Sequence, residues 1–169
     1  MKKLSTFAAG LIAMLCSTTN TFAQVTVTAN ATATIVTPIS ITKTADMNFG
    51  NVAVQASTAG TVILATDNSR TQTGGVTLPA TAGTVSAAIF TVNGEGAYTY
   101  TVTLPSTLTI SNSSVNMTVN GFTSTPSGTG TLSSGAQTLK VGATLNVAAA
   151  QAAGTYTSAT PFNVTVNYN

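Results

Sequence analysis

The chain has 169 residues, of which 5% are charged, with five Lys and Arg, three Asp and Glu, one Cys and no His. General acid–base catalysis, nucleophilic catalysis and transition-metal binding draw mostly on the residue types that are scarce here. We therefore expect no catalytic residues, no metal ligands and no cofactor.

Residues 1–23 are predicted to be a cleaved signal peptide. The basic start at Lys2 and Lys3 precedes an apolar run at Phe7–Leu15, and Thr21–Ala23 ends the run with small residues on either side of Phe22. The run is too short to span a bilayer, and no later segment reaches the roughly 18 apolar residues that a membrane helix needs. The sequence thus predicts an exported protein without an integral membrane segment, located at the cell surface or outside the cell, or in the periplasm during transit.

Beyond residue 23 the side-chain charges cancel. The cations are Lys43, Arg70 and Lys140, and the anions are Asp46, Asp67 and Glu95. This distribution offers no basic patch for nucleic acid. Because the one cysteine, Cys16, lies within the predicted signal peptide, the exported chain is expected to have no disulfide and to depend on a hydrophobic core.

Residues 24–37, called the N-terminal segment below, have a regular two-residue alternation. Thr and Asn at even positions alternate with apolar residues at odd positions: Val25, Val27, Ala29, Ala31, Ala33 and Ile35. Pro38 separates the segment from residues 38–169, since proline cannot donate to a sheet ladder. One interpretation is the first strand of the chain's own sandwich. The other is a donor strand that adds to a neighbouring subunit, which requires a ladder of backbone hydrogen bonds because side-chain burial alone does not offset the cost of ordering the segment.

Residues 38–169 are predicted to form an all-β, Ig-like antiparallel β-sandwich. The clearest strand is Tyr98–Leu104, in which apolar residues alternate with threonines, and the turn at Asn93–Gly96 predicts a hairpin with Val85–Val92. A single helical turn is allowed at Ala148–Ala153. Short strands between clusters of Gly, Pro, Ser and Asn are typical of a sandwich or barrel; the remaining ones are predicted at Ile39–Lys43, Met47–Val52, Thr61–Ala65, Val115–Phe122, Gln137–Val147 and Pro161–Tyr168.

A few polar and aromatic residues suggest sites that have simpler explanations. Asp67 and Arg70 favour a turn with a local ion pair over a ligand pocket, and an exposed pair contributes little to stability. Asp46 with Asn48 is too small a set for calcium, which takes six to eight oxygen ligands. Tyr98 and Tyr100 could stack on a sugar ring, but their place on the apolar face of a central strand favours burial in the core.

The C-terminal strand has apolar residues at Phe162, Val164, Val166 and the penultimate Tyr168, with Gly154 fourteen residues before that tyrosine. This pattern resembles the C-terminus of chaperone–usher pilins, in which the assembly chaperone grips the last strand. The stretches Thr73–Val76, Val141–Leu145, Gln151–Tyr156 and Phe162–Tyr168 are similar to the secreted bacterial family known as domain of unknown function 4402. That resemblance covers most of residues 24–169 and implies kinship with fimbrial and adhesin subunits that lack disulfides.

Three classes of function follow from these observations. A structural surface subunit, self-associating or assembled by a fimbrial chaperone, fits the predicted export, the zero side-chain net charge and the alternating terminal strands. A monomeric module that binds carbohydrate or protein fits the same fold. A hydrolase is disfavoured because histidine is missing and acidic residues are scarce.

Overall fold

The computed structural model describes residues 23–113 and 115–169, and these contain strands and no helix. The predicted signal peptide, apart from Ala23, therefore lies outside the described residues. The strands are β1 (Ser40–Ala45), β2 (Ala53–Val54), β3 (Gly60–Leu64), β4 (Arg70–Gly74), β5 (Val76–Thr77), β6 (Ala88–Asn93), β7 (Thr99–Thr103), β8 (Thr107–Asn112), β9 (Val115–Thr125), β10 (Thr129–Thr131), β11 (Ala136–Val147) and β12 (Thr165–Tyr168). Every pairing between them is antiparallel, which confirms the all-β prediction.

The largest sheet is organised around β11. On one edge β11 pairs with β6 as far as Val141 and with β3 from Ala143 onward, and on the other edge it pairs with β9. β1 lies beside β6, β4 beside β3, and β8 beside β9. Gly142 is the residue at which β11 exchanges one partner for the other, and a Cβ there would lie 2.2 Å from the carbonyl oxygen of Leu64. Only glycine allows the two backbones to approach so closely.

Two smaller sheets cover the two halves of this large sheet. The first has the order β10-β7-β12, and with β6 and β11 it encloses a core whose buried members are Ala88, Val92, Tyr100, Val102, Leu132, Leu139, Val141 and Val166. The second, a β2-β5 ribbon, covers a core whose buried members are Val62, Val76, Val119, Ala143, Leu145 and Val147. The arrangement is a β-sandwich with two adjoining cores; its predicted Ig-like layout stays a prediction.

The predicted hairpin between Val85–Val92 and Tyr98–Leu104 is wrong. β6 already has β1 on one edge and β11 on the other, so neither edge is open to β7. The turn at Asn93–Gly96 instead carries the chain from the large sheet to the small one, where β7 pairs with β10 and β12. A local turn signal identified the chain reversal but not the partner strand.

The strand predicted at Met47–Val52 is also wrong. Apart from one bridge between Asn48 and Ser86, these residues form no ladder. The Nη1 atom of Arg70 donates to the carbonyl oxygens of Phe49 and Asn51, and Gly50 has a left-handed φ of 68°. The guanidinium therefore takes the carbonyl groups that a neighbouring strand would need.

Other differences concern elements without a strong sequence signal. Residues Ala148–Ala153 form a turn and extended chain rather than helix, with Ala150 at a positive φ of 50°. The sequence analysis does not predict β2, β4, β5, β8 and β10. In β4 four of the five side chains are exposed, so that strand has no apolar alternation to detect. β8 does alternate: its exposed threonines at 107 and 109 are followed by half-buried Leu108 and Ile110, respectively.

We predict that Gly142→Ala lowers the free energy of unfolding by about 1–3 kcal/mol, because a methyl group there must displace backbone at the Leu64 carbonyl. Gly96→Ala is the matched control, since the nearest atom to its added Cβ lies 3.6 Å away, and it should change stability by less than about 0.5 kcal/mol. Urea denaturation followed by circular dichroism measures both. Equal stabilities for the two variants would contradict the role given to Gly142.

Candidate assembly surface

The N-terminal segment presents its apolar residues to solvent. Residues 23–39 belong to no strand, and the side chains of Val25, Val27 and Ile35 are 85%, 86% and 93% exposed. The alanines at 29, 31 and 33 are exposed as well. A compact unit begins at residue 35. The alternation predicted an apolar face, and the first interpretation, a strand of the chain's own sandwich, has no counterpart in the described structure.

The C-terminal contact residues lie at the end of the chain but not all in one strand. β12 begins at Thr165, because β7, its partner, ends at Thr103 opposite that residue. The predicted strand Pro161–Tyr168 is therefore four residues long. Phe162 precedes it and packs against the rings of Phe90 and Phe122, with centroid separations of 6.5 and 5.2 Å.

The three alternating residues that follow Phe162 point into the first core. Val166 is buried, while Val164 and Tyr168 are half-buried against it. Thr165 and Asn167 point outward and are exposed. The two-residue alternation at the C-terminus therefore identified the inner and outer faces correctly, although the strand is shorter than predicted.

One edge of β12 has no strand beside it. The amide of Asn169 donates to the carbonyl oxygen of Thr99 at 3.3 Å, which makes Asn169 and Thr99 a hydrogen-bonded pair of the antiparallel ladder. Because such pairs alternate along the ladder, the main-chain N–H and C=O groups of Val166 and Tyr168 point away from β7. Within the described residues these groups have no backbone partner.

β1 is the end strand of the large sheet on the same side of the sandwich. It pairs with β6 alone, and it comes into contact with β12. Ile41 of β1 and Ile39 just before it are half-buried against the first core, as are Tyr168 of β12 and Val164 just before that strand. The two end strands thus flank a strip of core side chains that neither sheet covers fully. Unpaired edges of this kind are templates for the addition of a further strand.

The charged residues are dispersed over the surface. Asp67 accepts hydrogen bonds from the hydroxyl of Ser69 at 2.6 Å and from its amide at 2.9 Å, and these two bonds hold the pKa of Asp67 below its ordinary value. Arg70 binds backbone carbonyls, so the predicted turn is present but the predicted ion pair of Asp67 with Arg70 is not. Asp46 instead pairs with Lys43 at 2.7 Å.

No group of three or more His, Cys, Asp or Glu side chains with metal-site geometry occurs in residues 23–113 and 115–169. Asn48, the other residue of the pair that was too small for calcium, accepts a hydrogen bond from the amide of Gly50 at 2.8 Å.

Tyr98, just before β7, and Tyr100, within it, have different environments. Tyr100 is fully buried, its hydroxyl donates to Gln137 at 2.8 Å, and burial raises its pKa. Tyr98 was expected in the core but is 45% exposed, because it precedes β7 and rests edge-on against Tyr168 with ring centroids 5.6 Å apart.

Two concave regions of the described surface are shallow and open to solvent. One, of about 510 Å³, lies where β3, β9 and β11 meet near Gln151, and the other, of about 440 Å³, lies between β8 and residues 159–163. The second is lined partly by hydroxyl and amide side chains, among them Thr107, Thr109 and Asn163. No helix in the described part of the chain is long and apolar enough to cross a membrane.

A comparison with protein families shows to which family the sandwich belongs. A family model described as domain of unknown function (DUF4402) matches residues 39–168. The chain belongs to the DUF4402 family. The matched DUF4402 region contains all strands from β1 to β12, and the N-terminal segment lies before it. No curated protein and no solved structure matches the chain.

We predict that deletion of Gln24–Val36 leaves the stability of the DUF4402 domain within about 0.5 kcal/mol of the full chain, because the apolar side chains removed are already exposed, apart from the half-buried Val36. Deletion of Thr165–Asn169, which removes β12 and with it Val166 from the core, serves as the contrasting control and should unfold the domain. Thermal denaturation followed by circular dichroism measures both. A large loss of stability on removing Gln24–Val36 would show that the segment is an internal strand.

Proposed function

We propose that this chain is an exported structural subunit of the cell surface that assembles by strand addition, with the N-terminal segment as donor. The observation that carries the proposal is the exposed apolar face of that segment. Val25, Val27 and Ile35 together keep most of their surface in water, and burying a side chain of this size contributes about 1.5–3 kcal/mol. A contiguous apolar stripe left in solvent is typical of an interaction surface.

The DUF4402 domain offers a complementary acceptor. The outer edge of β12 presents the main-chain groups of Val166 and Tyr168, and half-buried Ile39, Ile41 and Val164 line the strip beside it. A donor strand placed there would complete the backbone ladder and cover apolar side chains at the same time. The backbone hydrogen bonds would then add to side-chain burial, which alone does not offset the cost of ordering the segment.

Such a contact joins a segment of one copy to a different surface of the next. A heterologous contact of this type produces an open filament when the rotation between successive copies does not close a ring. The resemblance of the last strand to that of pilins supports a fimbrial or adhesin-like role, and in that case an assembly chaperone would cover the same edge of β12 before polymerisation.

The remaining parts of the proposal concern location and chemistry. The basic start and apolar run of residues 1–23 support export to the cell surface, through the periplasm. The absence of histidine from the sequence and the dispersal of the described charged side chains support a non-enzymatic role without cofactors.

A second candidate function, a monomeric module that binds a neutral carbohydrate or a protein, is favoured by one observation. The concave region of about 440 Å³ beside β8 combines hydroxyl and amide groups with the faces of Pro105, Pro161 and Phe162. A strictly monomeric native protein that binds a neutral oligosaccharide would favour this candidate over the structural subunit.

We predict that Ala31→Asp blocks multimer formation, because the donor's apolar face would carry an unpaired charge into the neighbour. Asn30→Asp is the matched control: it places the same charge one residue away, on the polar face of the segment, and should leave multimers intact. Both variants should melt at the wild-type temperature, since residues 30 and 31 are exposed.

The measurement is electrophoresis of protein sheared from cells, under mild denaturation, where wild type should give a ladder of multimers. Multimers that persist in Ala31→Asp would overturn the assignment of the N-terminal segment as donor. A wild type that is monomeric under all conditions would overturn assembly itself.

A further inference from the structure

Three hydrogen bonds hold Thr37, the residue at which the N-terminal segment meets the rest of the chain, and a fourth joins its two partners, Glu95 and Tyr168. The amide and the hydroxyl of Thr37 both donate to Oε2 of Glu95, at 3.1 and 3.0 Å. The hydroxyl of Tyr168 donates to the carbonyl oxygen of Thr37 at 2.8 Å and accepts from the amide of Glu95 at 2.6 Å. Glu95 and Tyr168, which follow Thr37 in the sequence by 58 and 131 positions, thus both contact this residue.

The surrounding backbone is shaped to admit these contacts. Gly94, next to Glu95, has no Cβ, and one placed there would lie 2.2 Å from the hydroxyl oxygen of Tyr168. The amide of Gly94 is held by the carbonyl oxygen of Gly135 at 2.9 Å, which fixes the loop that carries Glu95. The hydroxyl of Tyr168 can therefore reach the Glu95 amide because the loop has glycine at this position.

The consequence for the chain is a break in strand-forming capacity just before β1. The N–H of Thr37 is taken by a carboxylate, its C=O by a tyrosine hydroxyl, and Pro38 has no N–H. Two successive residues therefore cannot donate to a ladder, and β1 cannot extend backward into the N-terminal segment as a single strand.

We propose that Glu95 and Tyr168 form a latch on Thr37 that keeps the N-terminal segment separate from β1 at neutral pH and opens when Glu95 is protonated. The latch is a property of one chain and does not rest on the proposed assembly. Its strength comes from the charge of the carboxylate, since hydrogen bonds to an ionised acceptor are stronger than those between neutral groups.

The direction of the pH dependence follows from the same contacts. The backbone bond from Thr37 and then its side-chain bond hold the pKa of Glu95 below the ordinary value of 4.5. A carboxyl whose pKa is lowered by folding contributes fully above that ordinary value, and its contribution is lost as the pH falls through the lowered folded-state value. The latch is accordingly closed at neutral pH and opens in acid.

Few other titratable groups face this site. The contacts that act on the carboxyl of Glu95 come from Thr37 and from the amide of Gly96, and Tyr168 is the titratable group bonded to Thr37 and to the Glu95 backbone. In residues 23–113 and 115–169 the one salt bridge joins Lys43 to Asp46, so no lysine or arginine is within ion-pair distance of Glu95.

The test follows the Thr37 amide of the ¹⁵N-labelled chain by nuclear magnetic resonance from pH 7 to pH 3. Its signal should shift with a midpoint below 4.5 in the wild type, and Glu95→Gln should abolish the shift. At pH 7 Glu95→Gln and Tyr168→Phe should each speed hydrogen exchange at Thr37 by about three- to tenfold, the range for losing or neutralising one surface hydrogen bond.

Asp67→Asn is the matched control, because the pKa of Asp67 is also lowered by local hydrogen bonds but its partner is Ser69. That variant should remove the pH response of the Ser69 amide and leave the response of Thr37 unchanged. Amides of the buried residues Val62 and Leu64 report whether the domain is still folded. If the domain unfolds at a higher pH than the one at which Glu95 is protonated, the hydrogen-exchange rates at pH 7 decide whether the latch exists.

Two results would overturn the latch. The carboxylate would be excluded as the basis of the latch if the Thr37 amide of Glu95→Gln still titrated. It would also be excluded if that amide exchanged its hydrogen at the wild-type rate. Hydrogen exchange of the Thr37 amide at the wild-type rate in Tyr168→Phe would exclude the tyrosine from the latch. Because every readout concerns a single chain, these failures are distinct from a failure to form multimers.

Discussion

The sandwich depends on the way β11 pairs with three other strands. Its first half pairs with β6 and its second half with β3, while β9 runs along the opposite edge. The exchange of partner at Gly142 divides the apolar residues into two cores, one under the β10-β7-β12 sheet and one under the β2-β5 ribbon. A chain with so few charges and no disulfide has mainly this burial to stabilise it.

This arrangement also determines which edges are left open. β6, β11 and β7 each have partners on both sides, whereas β1 and β12 end their sheets and meet at one side of the first core. Of the open edges, the one formed by β1 and β12 lies where Ile39, Ile41 and Val164 are only half-buried. An exposed edge beside half-buried apolar residues is a hazard for a monomer and an acceptor for a strand. The proposed assembly and the latch at Thr37 both use this corner of the domain.

Alternation in the sequence was a reliable guide to faces and a poor guide to pairing. It placed Tyr100 and Val102 inward and the intervening threonines outward, as β7 has them, because side-chain direction is a local property of an extended chain. Alternation could not show that β6 pairs with β1 and β11 on its two edges. The predicted hairpin between β6 and β7 was therefore wrong. The sequence of Met47–Val52 predicts a strand, because nothing local shows that Arg70 binds the carbonyl groups of Phe49 and Asn51 from 19 to 21 residues away.

For the candidate surface, the sequence identified the residues but not their connection. Val25, Val27, Ile35, Val166 and Tyr168 were all found from periodicity. Val166 and Tyr168 pack in the first core, whereas Val25, Val27 and Ile35 are exposed, so their burial against another strand stays a prediction. Glu95 and Thr37 were missed as interacting residues, because their contact spans 58 positions and has no motif. The one available signal was the penultimate Tyr168, whose hydroxyl bonds to both sides of this contact.

The central claim, that the N-terminal segment of one copy adds to the edge of β12 in another, is tested most directly with a labelled Ala31→Asp chain and a synthetic peptide of residues 24–37. The variant has an intact acceptor edge and a disabled donor. We expect the peptide to bind and to slow hydrogen exchange at the amides of Val166 and Tyr168, the groups that point away from β7. No binding, or protection confined to the edge strands β4 or β8, would contradict it.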